Sequence, residues 1–340
     1  MSANDFVIHN GVLERYTGSD EEVVIPDGIT AIGEKAFWYR VNLRSVHIPN
    51  SVTSIGCSAF EDCFHLASIR IPDGVTSIGE YTFCACIHLA EVHIPSGVTS
   101  IGDWAFAECS SLTSVHIPDT VISIGEEAFI HCSSLASVHI PDGVTTIPDS
   151  AFCGCDGLIK VHIPDSVTKL GCSVFSACTD LAEVHIPAGV TEISYNVFAG
   201  CQNLTSIHIP DSVTVIDDRA FCACTGLKAV HIPDGVTSIG EYAFSGCTDL
   251  TEVHIPVGVT AIGKYAFSDC TGLTEVHIPD SVTTIGDFAF DGCHLSYIYV
   301  PASVTNIGVC AFGGCPDYVI DTPKGSDAEG YIKERRREWL

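Results

Sequence analysis

A proline recurs every 23 residues through most of this 340-residue chain, and this spacing constrains the fold more than any other feature. Each of these prolines follows Ile or Val, and the last interval is one residue shorter. Thirteen repeats result, marked by Pro26, Pro49, Pro72, Pro95, Pro118, Pro141, Pro164, Pro187, Pro210, Pro233, Pro256, Pro279 and Pro301. A unit this short cannot bury its own apolar face, so neighbouring units must stack and share a core. The period therefore predicts one elongated solenoid.

One repeat divides into a strand, a turn and a helical segment. In "LTSVHIP", Val115 and Ile117 alternate towards the core, so Ser114 and His116 are expected to face outwards. "PDG" or "PDS" follows in most repeats, and we expect its proline at the second position of a turn. "ExAFxxC" predicts a single helical turn with an acidic residue near its N-terminus. One strand and one helical turn per coil give an α/β repeat solenoid.

The stretch "IPDGVTSIGEYAFSGCTDLTEVHIP" resembles the leucine-rich repeat of the BspA and Treponema type, and the similarity covers residues 21 to about 315. The resemblance implies a horseshoe with a parallel β-sheet on its concave face and short helical turns and loops on its convex face. It also implies a protein-binding role, often that of a bacterial surface protein involved in adhesion.

Both ends of the protein are predicted to cap the array. Residues 1–25 contain "FVIHNGVLERY", in which two apolar runs flank Asn10-Gly11, a strong signal for a hairpin. Residues 26–315 form the repeats, and residues 316–340 form a C-terminal cap with a short helix. Ser326 and Glu329 have capping-box spacing at its start. Its apolar face contains Ala328, Tyr331, Ile332 and Trp339. An alternative use of "KERRR" is as a recognition signal.

Charge restricts the classes of partner. The net charge is −27, and residues 21–323 contain 35 acidic and 9 basic side chains. Nucleic acids and anionic membranes are excluded as partners because they require clustered Lys and Arg. No apolar run is long enough to span a bilayer. The N-terminus has no signal peptide, which predicts a cytoplasmic protein, or a cell-surface protein if the sequence is trimmed. We expect the protein to be monomeric.

Cysteine forms a column three residues after the core phenylalanine of most repeats. Parallel Cβ vectors disfavour disulfides between stacked coils, so we expect buried, reduced thiols and no structural disulfides. The column contains Cys63, Cys86, Cys109, Cys132, Cys155, Cys178, Cys201, Cys224, Cys247, Cys270, Cys293 and Cys315. The C-x-C pairs at Cys84, Cys153 and Cys222 lie three coils apart, too far to share one ion. No metal or other cofactor is expected, and the one metal candidate is a Cys2His2 set of Cys63, His65, Cys86 and His88.

A histidine occupies the outward end of most predicted strands. The column contains His47, His93, His116, His139, His162, His185, His208, His231, His254 and His277. The neighbouring outward position varies between repeats and is Glu91, Glu183, Glu252 and Glu275 in four of them. A constant column beside a variable one is typical of a binding face. The alternatives are a solvated ladder with no binding role and a pH-responsive or metal-binding stripe.

The sequence favours a non-enzymatic scaffold that binds a protein, possibly one with a basic surface, across the concave sheet. No phosphate loop, nucleophile elbow or acid pair interrupts the repeats, which disfavours an enzyme. A second candidate interface is the aromatic stripe Tyr81, Trp104, Tyr242, Tyr265 and Phe288 on the convex side. A threonine column, with members such as Thr237 and Thr260, leaves ice binding as a third class.

Overall fold

The computed structural model describes residues 5–315 and 319–331. The protein folds as a β-solenoid of stacked coils whose strands pair in parallel. It divides into two compact units, one formed by residues 1–167 and 177–179 and the other by residues 168–176 and 180–340. Among the described residues, no helix has the length and apolar character needed to cross a membrane.

The hairpin at the N-terminus consists of β1 (Phe6–His9) and β2 (Val12–Tyr16), which pair antiparallel. Asn10 and Gly11 have positive φ angles of 50° and 79°, as the two central residues of a type I′ hairpin turn require. Strand β2 pairs with the first coil, Leu13 against Ile32. The hairpin thus continues one sheet of the array at its first coil.

Each regular coil contains two strands, where the sequence predicted one. The longer strand is the predicted "SVH" segment, and its copies form sheets of four, four and six strands, which we call together the histidine sheet. Its strands are β3 (Glu22–Val24), β5 (Ser45–His47), β7 (Ser68–Arg70), β9 (Glu91–His93), β11 (Ser114–His116), β13 (Ser137–His139), β15 (Lys160–His162), β17 (Glu183–His185), β19 (Ser206–His208), β21 (Ala229–His231), β23 (Glu252–His254), β25 (Glu275–His277), β27 (Tyr297–Tyr299) and β29 (Val319–Asp321).

The shorter strand is the "SI" of "VTSIG", which pairs with its counterpart in the next coil. These strands are β4 (Ala31–Ile32), β6 (Ser54–Ile55), β8 (Ser77–Ile78), β10 (Ser100–Ile101), β12 (Ser123–Ile124), β14 (Thr146–Ile147), β16 (Lys169–Leu170), β18 (Glu192–Ile193), β20 (Val215–Ile216), β22 (Ser238–Ile239), β24 (Ala261–Ile262), β26 (Thr284–Ile285) and β28 (Asn306–Ile307). The sequence predicts this segment only as buried backbone, because two residues are too few to show an alternating pattern.

The turn between the two strands begins one residue later than predicted. Its hydrogen bond runs from the amide of Val259 to the carbonyl of Pro256, and the same bond joins Val236 to Pro233. Proline therefore occupies the first position of the turn, not the second. Its carbonyl is the acceptor, and its missing N–H group costs no bond there.

The predicted helical turns on the convex side are wrong. Two residues in each regular coil have left-handed backbone, such as Tyr242 with φ 58° and Gly246 with φ 74°, and a right-handed helix cannot pass through them. The amides of Tyr242, Phe244 and Gly246 donate to carbonyls of the next coil at 2.7–2.8 Å. The alternate amides of Ser245 and Cys247 close four-residue turns within the coil, by bonds to the carbonyls of Tyr242 and Phe244. Hydrogen bonds between the amides of one coil and the carbonyls of the next therefore form in place of the bonds of a helical turn.

Buried columns fill the interior of each unit. Phenylalanine rings stack nearly parallel from coil to coil, with centroids 5.0 Å apart for Phe37 and Phe60 and 5.3 Å apart for Phe244 and Phe267. In the first unit, Tyr16 of the hairpin continues this stack at 5.3 Å from Phe37. The apolar core is therefore covered at the first coil by an aromatic ring of the hairpin.

A short helix at residues 327–331 follows the last strand. The N-cap half of the predicted capping box is present, because the Glu329 amide donates to Ser326 Oγ at 3.2 Å. The Glu329 carboxylate accepts from the amide of Gly325, one residue before the N-cap, at 2.8 Å. Ala328 is buried, and the Tyr331 ring meets Phe312 edge-on at 6.3 Å. Ile332, Trp339 and the "KERRR" stretch lie outside the described residues.

Candidate protein-binding face

The outward side chains of the histidine sheet form what we call the histidine face. The parallel register aligns its members, since His116 pairs with His139 and His139 with His162 in the first unit. In the second unit His208, His231, His254 and His277 are in register in the same way. Adjacent parallel strands lie about 4.8 Å apart, which sets the spacing of the imidazoles along the face.

Strand alternation exposes these side chains. The inward valines Val230 and Val253 are 5% and 6% exposed, whereas His231 and His254 on the same strands are exposed. All ten histidines of the column are exposed, as are Glu91, Glu183, Glu252 and Glu275 in the neighbouring position. The structure thus brings the predicted binding residues onto the same side of the strands in each unit.

The column beside the histidines changes its chemistry from coil to coil. It runs through Ser206, Ala229, Glu252, Glu275 and Tyr297 in the second unit, and all five side chains are exposed. Tyr297 donates its hydroxyl to Asp321 at 3.1 Å on the next strand. In the first unit, His139 Nε2 lies 3.6 Å from Asp119 Oδ1. The face therefore combines imidazoles with carboxylates and small polar groups.

The aromatic stripe lies on the turns with alternating backbone, away from the histidine face along the coil. Tyr242, Tyr265 and Phe288 occupy left-handed positions and stack at 4.6 Å and 4.8 Å. The Arg219 guanidinium lies over the Tyr242 ring at 5.1 Å. In the first unit, Tyr81 and Trp104 stack at 5.8 Å. All five aromatic side chains are half-buried, so the stripe offers ring edges more than ring faces.

The Cys2His2 candidate is divided between the inside and the outside of the coil. Cys63 and Cys86 are fully buried, and their Sγ atoms donate to the carbonyls of Phe37 and Phe60 at 3.2 Å. His65 and His88 are exposed and stack at 5.1 Å, each with Nδ1 at a backbone carbonyl. Among the described residues, no cluster of three or more His, Cys, Asp or Glu side chains is arranged to hold a metal ion.

The cysteine column has a structural use. All eighteen cysteines are thiols in this structure. Each Sγ of the column donates to the carbonyl of the phenylalanine in the preceding coil, at 3.0–3.4 Å. Burial raises the pKa of Cys63, Cys132 and Cys224 to about 12. These thiols therefore stay protonated and unreactive at neutral pH.

The threonine column also serves the backbone. Thr237 Oγ1 donates to the Thr214 carbonyl at 3.3 Å, and Thr283 Oγ1 donates to the Thr260 carbonyl at 3.2 Å. A hydroxyl group that donates its hydrogen to a carbonyl of the preceding coil has less capacity to order surface water. The arrangement supports the repeat and gives no support to an ice-binding surface.

Sequence reasoning missed a group of residues on the first coil. Arg40 stands where the following coils have the column cysteine, three residues after Phe37. Trp38 and Tyr39 precede it and are 48% and 55% exposed. The signal was the interruption of the column itself, which a reading of the regular members passes over.

The protein is similar in sequence and in structure to known leucine-rich repeat proteins. The sequence model for a BspA type leucine rich repeat region matches residues 15–115, 99–221 and 191–318, in six copies. A leucine-rich repeat protein from Bacteroides ovatus is 31% identical and has a TM-score of 0.79, and the match covers 96% of this chain and 94% of that one. A leucine rich cell surface protein from Faecalibacterium prausnitzii is 32% identical with a TM-score of 0.70, covering 97% and 96%.

A leucine-rich repeat protein from Eubacterium ventriosum is 26% identical with a TM-score of 0.52, and the match covers 76% of this chain and 88% of that one. No curated protein sequence matches significantly.

Proposed function

Because the protein belongs to the BspA-type leucine-rich repeat family, we propose that it is a non-enzymatic scaffold that binds another protein through the histidine face. The proposal includes the expectation that this face is the concave one. Solenoids of stacked repeats use extended concave surfaces for binding, since each repeat adds an equivalent set of outward side chains.

The observation that carries the proposal is the contrast between two exposed columns in register. One column repeats histidine through His208, His231, His254 and His277, and its neighbour varies. Folding does not require the histidines, because their side chains point away from the core. A uniform frame with a variable neighbour gives both a common contact and a means of selecting one partner.

Charge supports a basic partner. Glu252 and Glu275 lie on the histidine face of the second unit, within a protein of net charge −27. A field of one sign raises the association rate of an oppositely charged protein, and salt screens this effect. We expect binding to be faster at low ionic strength and the free protein to be monomeric.

The thiol column supports a reducing compartment, which we propose to be the cytoplasm. Each column Sγ–H is a hydrogen-bond donor to a phenylalanine carbonyl. A disulfide sulfur has no hydrogen to donate, so oxidation would remove these bonds from the core. The protein is therefore suited to conditions in which thiols persist.

A second candidate function is an adhesin-like role outside the cell. The observation that favours it is the 32% identity to a Faecalibacterium prausnitzii protein described as a leucine rich cell surface protein. Protein binding by a repeat surface is common to both candidates, and the compartment distinguishes them. Surface biotinylation of intact source cells labels the protein if it is extracellular and leaves it unlabelled if it is cytoplasmic.

The test of the binding face uses one multiple variant and one matched control. Partners are captured from the source cell in reducing buffer and identified by mass spectrometry, and affinity is then measured with the purified partner. We expect replacement of Glu252, His254, Glu275 and His277 by Ser or Ala to weaken binding at least about tenfold, or roughly 1.4 kcal/mol. The inward Val253 and Val276 remain, so the coils should still fold.

The control replaces Tyr242, Tyr265 and Phe288 by Ser and leaves the histidine face intact. Undiminished affinity in this variant, with loss in the first, supports the proposal. The reverse result assigns binding to the aromatic stripe and overturns it.

A further inference from the structure

Arg40 interrupts the cysteine column at its first position. In the following coils this place is filled by Cys63 and Cys86, both with no exposed surface. A guanidinium cannot fit in a column built for thiols, so the Arg40 side chain leads away from it. Burial raises the pKa of the Cys63 thiol to about 12, and the nearby Arg40 charge offsets part of this rise.

The Arg40 side chain borders a cleft between the hairpin and the first coil. Gly18, Ser19 and Asp20, which follow strand β2, form one wall together with Tyr16. Residues 39–43 form the other wall, and the cleft holds about 80 Å³ of space open to water. That is room for several water molecules or for one carboxylate group.

Two features keep the cleft open. Gly18 lies against the Tyr16 ring, and any side chain at Gly18 would collide with the Tyr16 hydroxyl. The Tyr16 hydroxyl donates to Asp20 Oδ2 at 3.1 Å, which engages one carboxylate oxygen of the wall. The wall that faces Arg40 is thus fixed by a glycine and a side-chain hydrogen bond.

Arg40 is an arginine without a protein acceptor for its Nε atom. This atom is excluded from solvent and has no hydrogen-bond partner among the described residues. Two other arginines do have acidic partners: Arg44 pairs with Glu21 at 3.0 Å, and Arg70 pairs with Asp73 at 3.5 Å. A buried donor without an acceptor is rare in folded proteins. Because Nε itself has no exposed surface, the other N–H groups of the guanidinium are the donors that remain for a ligand in the cleft.

Arg40 follows two exposed aromatic residues in sequence. It is the basic residue of the cleft lining and Asp20 is its carboxylate, whereas the nearby Lys35 and Arg44 are paired with Glu34 and Glu21. Trp38 and Tyr39 are 48% and 55% exposed beside Arg40. Trp, Tyr and Arg are the residue types most enriched at interface hot spots.

We propose that this cleft binds a carboxylate group of an acidic protein segment, with the Arg40 guanidinium as its donor and Trp38 and Tyr39 as the flanking contacts. The planar guanidinium presents N–H groups in a fork that matches a carboxylate. The carboxylate comes from an acidic side group or from the free C-terminus of a polypeptide. This site lies apart from the histidine face. It binds an acidic partner, whereas the partner proposed for the histidine face is basic.

Three fluorescein-labelled hexapeptides distinguish the two sources by fluorescence anisotropy at low salt. The first contains glutamates and an amidated C-terminus, the second contains glutamines and a free C-terminus, and the third contains glutamines and an amidated C-terminus. We expect the first or the second to bind the full-length protein at least tenfold more tightly than the third. Equal binding of all three peptides, or of none, overturns the proposal.

Variants then identify the residue. We expect Arg40→Gln to weaken binding at least tenfold and Arg40→Lys to retain part of the affinity, because Lys keeps the charge and loses the fork. Asp20→Asn should strengthen binding, since it removes a negative charge from the cleft wall. Arg70→Gln is the matched control and should change affinity less than twofold.

Unchanged affinity in a folded Arg40→Gln variant overturns the proposal, as does a fall of the same size in Arg70→Gln. Binding of inorganic phosphate in isothermal titration calorimetry, with no binding of any peptide, also contradicts it, because the site would then take a free oxyanion.

Discussion

Alkaline pH should destabilise the array through the cysteine column. Burial raises the pKa of Cys63 and Cys132 to about 12, against about 8.5 for a thiol in an unfolded polypeptide. Because the folded pKa is the higher one, the stabilisation is fully present below the unfolded value. It is then lost progressively as pH rises towards the folded value. Each such thiol contributes a loss of about 2 kcal/mol at pH 10.

The loss accumulates along the column. In the first unit, Cys86, Cys109 and Cys155 are also raised in pKa well above the ordinary value, by burial before any other cause. Cys63 and Cys132 alone account for a loss of about 4 kcal/mol at pH 10, and the other three thiols act in the same direction. This is a large part of the stability of a typical domain, about 5–15 kcal/mol.

The assay is urea unfolding followed by circular dichroism between pH 7 and pH 10.5 in a reducing buffer. Each buried thiol should contribute about 1.4 kcal/mol per pH unit to the slope of stability against pH above pH 9. Cys132→Ser should reduce the slope by that amount, and Cys57→Ser, at an exposed thiol, is the matched control. An identical slope in wild type and Cys132→Ser would refute the reasoning.

Three further predictions follow from the same structure. Ala85→Gly and Ala223→Gly should each stabilise the protein by about 0.5–1 kcal/mol in thermal or urea unfolding, because both alanines have φ of 57° and other coils place glycine there. Ala229→Gly, on an exposed strand position, should instead destabilise by a similar amount, and stabilisation there would contradict the backbone explanation. Thiol counting should give 18 groups after denaturation, and the native protein should react first at Cys57 and Cys172, which are exposed; rapid reaction of many thiols would contradict the buried column. Affinity for a partner should change between about pH 5 and 7, where histidine titrates, and a flat profile would remove histidine charge from recognition.

The period made much of the fold predictable. A 23-residue repeat with alternating Val115 and Ile117 sufficed to predict the stacked coils, the outward histidines and the buried Phe and Cys columns. The hairpin and the N-cap of the last helix depend on short local signals at Asn10-Gly11 and Ser326, and both are present.

The turns with alternating backbone could not be predicted in the same way. "EYAF" favours a helical turn by composition, and the left-handed conformation of residues such as Tyr242 arises from amide bonds to the next coil. Such bonds form only when coils stack, and the helix propensity of a short segment carries no information about stacking. The second strand of each coil has the same origin, because Ser238–Ile239 is extended through its pairing with neighbours on both sides.

The binding face was predictable as a surface, because exposure follows from strand alternation. The Arg40 cleft was not, because it depends on how Tyr16 and Gly18 of the hairpin pack against one coil. A site formed where the repeat is interrupted cannot be predicted from the repeat pattern, because it depends on the local packing at that interruption.

Site-specific photocrosslinking in the source cell tests the central proposal most directly. A photoreactive amino acid is placed at Glu252 or Glu275 on the histidine face, at Tyr265 on the aromatic stripe, or at Cys57 as an exposed site on neither. Binding through the histidine face predicts one protein crosslinked at residues 252 and 275 and absent at residues 265 and 57. A crosslinked partner found only from residue 265, or equally from all four positions, would contradict it.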